Sequence, residues 1–234
     1  MKFFPLICYF LFLSITSIAQ ESKGIKIRNF YHSHGISFQK FGNLNKRIAV
    51  FPQFEQPKNS TGIFEFGLIT ERNKLLTGFN INAGSSLSGT RNIKSTATNF
   101  WGLAANAGYN LLNSSRVSLF PYTGLGYEKY KVIFNRDVSN VPFDSVLQSG
   151  NVQQRVENIV FTNSFINYKA GIGFSVKSKK HKQNSIGLLL DYSGSFKAND
   201  WKINKLQTLS NSPKDNLSKI AASILIRYQF KQKK

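Results

Sequence analysis

The sequence predicts an all-β protein: an eight-stranded antiparallel up-and-down transmembrane β-barrel with short turns at one end and long loops at the other. Three observations predict this fold. The first residues have the pattern of an export signal, no later segment is apolar enough for a transmembrane helix, and eight segments alternate apolar and polar residues. Only helices and closed barrels satisfy the backbone inside lipid, so an exported chain of this kind is a membrane barrel or a soluble secreted domain.

The first residues have the features of a secretory signal peptide. A basic residue precedes a largely apolar run over residues 3–18, and a small residue, Ala19, comes directly before Gln20. We expect cleavage between Ala19 and Gln20, which leaves residues 20–234 as one barrel domain. An uncleaved anchor helix is the alternative, but the run is short and interrupted. The single cysteine, Cys8, lies in this leader, so the mature chain would have no disulfide or thiolate chemistry.

The final strand defines the pattern used for the others. Between Lys219 and Phe230 one parity is apolar and the other is mainly small or polar, with Leu225 as an exception. The first strand is the least regular, because Ile27 and Ile36 lie on opposite parities. Either a bulge near Gly35 shifts its register or the strand starts late. The same pattern predicts strands near residues 24–39, 61–70, 75–84, 99–111, 117–134, 165–176 and 185–194.

The connectors alternate between long and short. Long polar connectors are expected near residues 40–60, 85–98, 135–158 and 197–218, and short turns near 71–74, 113–116 and 177–184. Outer-membrane barrels have an even number of strands, short periplasmic turns and long extracellular loops. The alternation therefore predicts a bacterial outer-membrane protein with both termini in the periplasm.

Aromatic residues on the outward parity predict the two girdles that flank the apolar band of such a barrel. Trp101 and Tyr109 share a face and lie eight residues apart, which corresponds to about 20 Å of height in a tilted strand. The apolar band is about 25 Å tall. The predicted girdle residues are Trp101, Tyr109, Tyr127, Tyr168, Tyr192, Tyr228 and Phe230.

Charged residues on the inward parity predict a polar network in the lumen. An eight-stranded barrel is narrow enough for side chains to fill, so opposite charges there are expected to pair. Lys169 and Asp191 are the best candidates, because the turn between their strands places them nearly opposite. The network is either a gate or proton path, or a polar core. Its predicted members are Glu65, Glu128, Lys169, Asp191 and Arg227.

Several short runs carry a resemblance to a known group of proteins. They are the leader end Ser17–Gln20, the runs Pro121–Tyr127 and Tyr168–Phe174, and the closing Arg227–Phe230. With these runs the chain resembles small outer-membrane barrels of the OmpA-like and OmpX-like type, especially the PorT-like barrels of Bacteroidetes-type bacteria. That resemblance implies an eight-stranded outer-membrane barrel. The tail Lys231–Lys234 departs from the usual aromatic end.

No catalytic signature stands out, and we predict no metal, no cofactor and no enzymatic activity. The expected role is structural, or binding through long extracellular loops. One alternative is a barrel enzyme that acts on outer-leaflet lipid, for which His32, His34 and Ser37 are the only plausible reagents. The His32–His34 pair also has the spacing for two metal ligands on one face of a strand. A second alternative is a soluble lipocalin-like barrel.

The formal charge of +20 predicts anionic partners. The cations are scattered through the connectors rather than gathered in one stripe, and nucleic-acid binding is not typical of exported chains, so no nucleic-acid partner is expected. Outer-membrane lipid and lipopolysaccharide are the expected partners, with the outer-membrane assembly machinery during folding. The extracellular ligand is not predicted, and we expect a monomer.

Overall fold

The structure is a computed structural model that describes residues 27–90, 94–135, 138, 140–156, 158–180, 183–203 and 207–230. The predicted cleavage site at Ala19 and Gln20 and the tail Lys231–Lys234 lie outside the described residues, as does His181.

A closed barrel of eight long antiparallel strands forms the protein, as the sequence predicts. The strands are β1 (Ile27–Gln39), β2 (Ser60–Arg72), β3 (Leu75–Thr90), β4 (Lys94–Tyr109), β5 (Val117–Asn135), β6 (Ile159–Lys177), β7 (Asn184–Ser195) and β12 (Ser218–Gln229). Four two-residue strands precede the last one: β8 (Asn199–Asp200), β9 (Lys202–Ile203), β10 (Gln207–Thr208) and β11 (Lys214–Asp215). Each long strand pairs with its neighbours, and β1 pairs with β12 to close the ring.

The outward face of the barrel is apolar and the inward face is polar or small. On β12, Ile220 and Ile224 are 59% and 51% exposed, whereas Leu225 of the other parity is fully buried in the lumen. A soluble lipocalin-like barrel needs the reverse arrangement, with an apolar interior and a polar outside. The outward band is therefore suited to lipid rather than to water.

β1 pairs without interruption along its described length. Its residues match β12 from Asn29 to Gln39 and β2 from Ile27 to Phe38, one for one. No bulge forms at Gly35, and Ile36 and Phe38 face outward. The mixed parity seen in the sequence arises because Ile27 lies at the start of the strand, below the regular apolar pattern.

Two predicted long loops contain structure that the sequence reading missed. A helix, α1 (Gly42–Ala49), lies in the connector that was expected to be a plain surface loop. Two short helices, α2 (Phe143–Gln148) and α3 (Gly150–Val156), follow β5.

The connector expected at residues 85–98 is largely strand, so that prediction was wrong. β3 and β4 pair from Leu75 with Tyr109 to Thr90 with Lys94. Between Trp101 and the connection from β3 to β4, both faces of this hairpin carry many polar residues, because the strands have left the apolar band. Judged from its polarity alone, this segment therefore resembles a loop, although the two strands continue to pair.

An apolar core fills the barrel above the membrane band, at the end with the long connections. There α1 contributes Leu44 and Ile48, and the segment before β12 contributes Trp201 and Leu217. They pack on inward residues near the upper ends of β4, β5 and β6. We call residues 40–59, 196–203 and 207–217, with the strand ends beneath them, the cap. The core comprises Phe41, Leu44, Ile48, Phe100, Tyr130, Val132, Phe134, Phe165, Trp201 and Leu217.

Within the described residues, no helix has both the length and the apolar character to cross a membrane.

Candidate functional site

The lumen below the cap is occupied by a buried cluster of charges. The Nζ atom of Lys169 lies 3.3 Å from Oε2 of Glu65 and 3.6 Å from Oδ1 of Asp191. Tyr31 donates a hydrogen bond of 2.6 Å to Glu65, and Tyr122 donates one of 3.3 Å to Asp191. One lysine therefore faces two carboxylates, and each carboxylate also accepts a tyrosine hydroxyl.

A second buried pair lies nearer the cap. The Nζ atom of Lys219 is 2.5 Å from Oε1 of Glu128, and Tyr130 donates a 2.8 Å hydrogen bond to the other carboxylate oxygen. The same ammonium lies 4.6 Å from the ring centre of Phe100. This pair joins the polar lumen to the apolar core of the cap.

Arg227 stands apart from both groups, at the end of the lumen nearest the short turns. Its guanidinium carbon lies 4.3 Å from the ring centre of Phe120, and the side chain is buried. Among the described residues it forms no ion pair. It lies beside the apolar layer made by Tyr31, Leu76, Phe120, Leu189 and Leu225.

The five predicted lumen residues are all buried inside the barrel, but they do not form one network. Lys169 does not lie opposite Asp191 in the register: Ser193 is its partner, and Asp191 faces Gly171. The pair is diagonal, and Glu65 shares the lysine. Lys219 was not predicted as a lumen residue, although it lies on the same inward parity of β12 as Ala221 and Arg227.

The predicted girdle residues lie in two groups on the outside of the barrel. Trp101 and Tyr127 are 5.7 Å apart between ring centres, and Tyr168 and Tyr192 are 6.2 Å apart, all on the cap side. Phe196 joins this upper group, 5.5 Å from Tyr168. The lower group, near the short turns, comprises Tyr109, Tyr228 and Phe230.

His32 and His34 lie on the outward face, with ring centres 5.3 Å apart. Their neighbours are aromatic: His34 lies 4.5 Å from Phe64, and His32 lies 5.7 Å from Tyr228. Ser37 has the opposite parity and is fully buried in the lumen. The three reagents of the enzymatic alternative are therefore not brought together. Among the described residues no group of three or more His, Cys, Asp or Glu is arranged to hold a metal ion.

A basic concavity lies on the outer wall directly above the upper girdle. It has a volume of about 540 Å³ and is lined by Lys129, Lys197 and Lys202, with Tyr127 and Ile166 below them. We call these residues the wall patch. The segment that carries Lys197 and Lys202 is fixed to β6 by paired side-chain amides: Asn163 donates to the carbonyl of Asn199, and Asn199 donates to the carbonyl of Ser164.

Asp215 ties the two parts of the cap together, and the sequence reading did not single it out. Its carboxylate accepts hydrogen bonds from the backbone N–H groups of Asn43 and Leu44, at 2.8 and 3.0 Å. It also accepts one of 2.8 Å from the indole N–H of Trp201. A carboxylate at a helix N-terminus satisfies free backbone donors, so Asp215 fixes α1 over the barrel mouth.

The cap also contains a cavity of about 280 Å³ that is mainly apolar. Its walls come from three places: Ile48, Phe51 and Phe54 of the first connection, Phe134 and Phe161 of the β5–β6 hairpin, and residues 209–213. A second cavity of about 350 Å³, lined by Lys46, Arg47 and Lys214, adjoins it. Arg47 and Pro213 belong to both.

Solved structures with a similar fold are bacterial outer-membrane proteins. Neisserial surface protein A has a TM-score of 0.51 at 12% identity, over 87% of this chain and 97% of its own. A major outer membrane protein from Thermus thermophilus has a TM-score of 0.51 at 11% identity, over 87% and 99%. Ail, the attachment invasion locus protein of Yersinia pestis, has 0.50 at 14%, over 89% and 100%.

The chain has the fold of a small outer-membrane β-barrel. At these identities the likeness concerns the fold, and it agrees with the predicted localisation in a bacterial outer membrane. No protein-family model matches the sequence, and no curated protein matches it.

Proposed function

We propose that this protein is a non-enzymatic outer-membrane barrel with a closed lumen, which binds acidic molecules at the cell surface through its cap and wall patch. The observation that carries this proposal is the cap itself. Instead of open loops around a pore mouth, α1 and the segment before β12 are tied by Asp215 and share a core with the strands.

The side chains that fill the lumen beneath the cap support the proposal that the barrel is closed. Its contents form successive layers: the cap core, the pair Lys219–Glu128, the cluster around Lys169 and the apolar layer around Phe120. An eight-stranded barrel leaves an interior that side chains fill, whereas aqueous channels belong to barrels with more strands. We therefore interpret the charges as a polar core rather than a solute path.

Solute flux into vesicles tests the closed lumen. The purified protein should first show a heat-dependent mobility shift between unheated and boiled samples in SDS, which establishes that it is folded. Vesicles that contain the folded protein should then take up small sugars no faster than empty vesicles, with a reconstituted porin as the positive control. Sugar uptake well above that of empty vesicles would contradict the proposal.

The wall patch supports lipopolysaccharide as a partner. Its three lysines lie just above Tyr127 and Trp101, at the level where the phosphates of the outer leaflet meet the girdle. One acid, Asp200, lines the same concavity, and it pairs with Lys214 at 3.9 Å. The patch therefore presents mainly positive charge to anionic headgroups.

Substitution of the patch tests this partner against a matched control. Replacing Lys129, Lys197 and Lys202 with Gln should reduce the lipopolysaccharide that copurifies with the barrel. Replacing Lys177, Lys179 and Lys180 at the opposite end removes the same charge and should leave it unchanged. Equal losses in both variants would show that only the net charge matters.

The absence of enzymatic activity is also part of the proposal, because His32 and His34 face outward while Ser37 faces the lumen. A deletion strain should keep its lipid A profile. A change in that profile, reproduced by His32→Ala or His34→Ala, would establish the lipid-modifying alternative.

The remaining partners follow from the fold. We propose a monomer that requires the outer-membrane assembly machinery for insertion and binds no nucleic acid. A relationship to PorT-like barrels rests on the short sequence runs at Ser17–Gln20, Pro121–Tyr127, Tyr168–Phe174 and Arg227–Phe230, and it stays a prediction.

A further inference from the structure

The two adjoining cavities of the cap differ in chemistry. The cavity of about 280 Å³ is lined mostly by aromatic and aliphatic side chains. The cavity of about 350 Å³ is bordered by Lys46, Arg47 and Lys214. Ligand sites are typically concave and mostly apolar, with a small number of polar groups that fix orientation. The paired cavities have this composition, and their combined size suits a small organic molecule.

Arg47 is the residue that joins the two cavities. It lies in the last turn of α1, is exposed, and lines both the apolar cavity and the basic one. Among the described residues, neither Arg47 nor Lys46 forms an ion pair, and Lys214 forms only an exposed one of 3.9 Å with Asp200. The cations at this edge are therefore available to an anionic group whose apolar part enters the neighbouring cavity.

The apolar cavity lies too far from the membrane for lipids of the bilayer to fill it. Phe134 lines the cavity, and Tyr127 of the same strand belongs to the upper girdle, seven residues away. In a tilted strand that separation corresponds to about 18 Å of height. Phe134 and Phe161 have the inward parity, and the rim residues Phe51 and Leu209 are 50% and 47% exposed. The cavity is thus in the cap interior and its rim faces solvent.

From this arrangement we propose that the cap binds a soluble amphipathic anion, with its apolar part among Ile48, Phe54 and Phe161 and its anionic group on Arg47 and the neighbouring lysines. The inference deepens the proposed function, because it requires a cap that faces the outside of the cell. It names the ligand class as a carboxylate, sulfate or phosphate with an apolar group of moderate size.

Octyl sulfate is a suitable probe, with inorganic sulfate and 1-octanol as its two halves. Trp201 lies next to the site, because its side chain belongs to the same core cluster as Leu44 and Ile48, which line the apolar cavity, and its backbone N–H donates a 3.2 Å hydrogen bond to the carbonyl of Pro213, a residue of both cavities. In a Trp101→Phe background, Trp201 is the remaining tryptophan. The protein is placed in zwitterionic lipid nanodiscs, and empty nanodiscs give the partitioning of the probe into lipid.

We expect octyl sulfate to change the fluorescence of Trp201 saturably, and the two half probes to bind at least about tenfold more weakly. Arg47→Gln should weaken octyl sulfate by about tenfold, because a charge-assisted contact is lost. Arg116→Gln, in an exposed turn at the opposite end, removes the same charge and should have no effect.

Three results would overturn the inference: no saturable response, equal binding of sulfate and octyl sulfate, or equal affinity in Arg47→Gln and the parent. The second would mean a basic surface without an apolar site. None of these results bears on whether the lumen is closed, because the vesicle flux measurement tests that separately. Failure of this site and failure of the proposed function are therefore distinguishable.

Discussion

Removal of the central lysine of the lumen should destabilise the barrel strongly. Lys169→Met leaves Glu65 and Asp191 buried together without their shared cation. At 3.3 and 3.6 Å, each attraction is worth about 5 kcal/mol at an effective dielectric constant near 20, before the cost of desolvation. Because breaking a buried pair leaves an uncompensated charge, we expect the free energy of unfolding to fall by about 3–5 kcal/mol.

The assay is urea-induced unfolding in lipid vesicles, followed by tryptophan fluorescence. Lys131→Met, an exposed lysine on β5, is the matched control and should change the free energy of unfolding by less than about 0.5 kcal/mol. In a double-mutant cycle, Lys169→Met should cost less when Asp191→Asn is already present. A loss below about 1 kcal/mol for Lys169→Met, or additive effects in the cycle, would refute the shared pair.

Three further substitutions test other parts of the structure. Lys219→Met leaves Glu128 buried without its cation and should lower the unfolding free energy by about 3–5 kcal/mol in the same assay; no loss would contradict the pair. Trp201→Ala should cost about 3–5 kcal/mol of cap stability, seen as faster protease cleavage between residues 196 and 217 while the heat-dependent gel shift persists; unchanged cleavage would contradict the cap core. Gly187→Ala places a Cβ against the backbone oxygen of Phe174 and should reduce folding yield, whereas Gly62→Ala, whose nearest neighbour would be 3.7 Å away, should not; equal yields would contradict this packing.

The strands inside the membrane band were predictable because lipid outside and a crowded lumen inside impose strict alternation. Ile224 and Leu225 illustrate this: adjacent residues of the same type face lipid and lumen, and only the parity of the whole strand assigns them. Strands that extend beyond the band were not predictable in the same way. Around Ser85 and Asn99 the outward face is polar, so the strands keep pairing without the apolar alternation that marks a strand inside the band.

The lumen residues were predictable as a set but their pairing was not. Inward parity identifies Glu65 and Glu128 as buried, because a charge on the lipid side would be costly. The cation that pairs with each carboxylate depends on the shear of the barrel and on contacts across the lumen. The residue pattern of a single strand carries no information about either. The cap residue Asp215 was missed for a related reason: its partners at Asn43 and Leu44 are more than 170 residues away in sequence.

Quenching of tryptophan fluorescence by brominated lipid tests the central claim, a barrel whose aromatic girdle meets lipid. Trp101 is outward and 47% exposed in the upper girdle, whereas Trp201 is fully buried in the cap core. We expect brominated lipid to quench part of the wild-type emission, and Trp101→Phe to abolish that quenching. Absence of quenching in the wild type, or the same quenching in Trp101→Phe, would mean that the apolar outer face does not lie in lipid and would contradict the account.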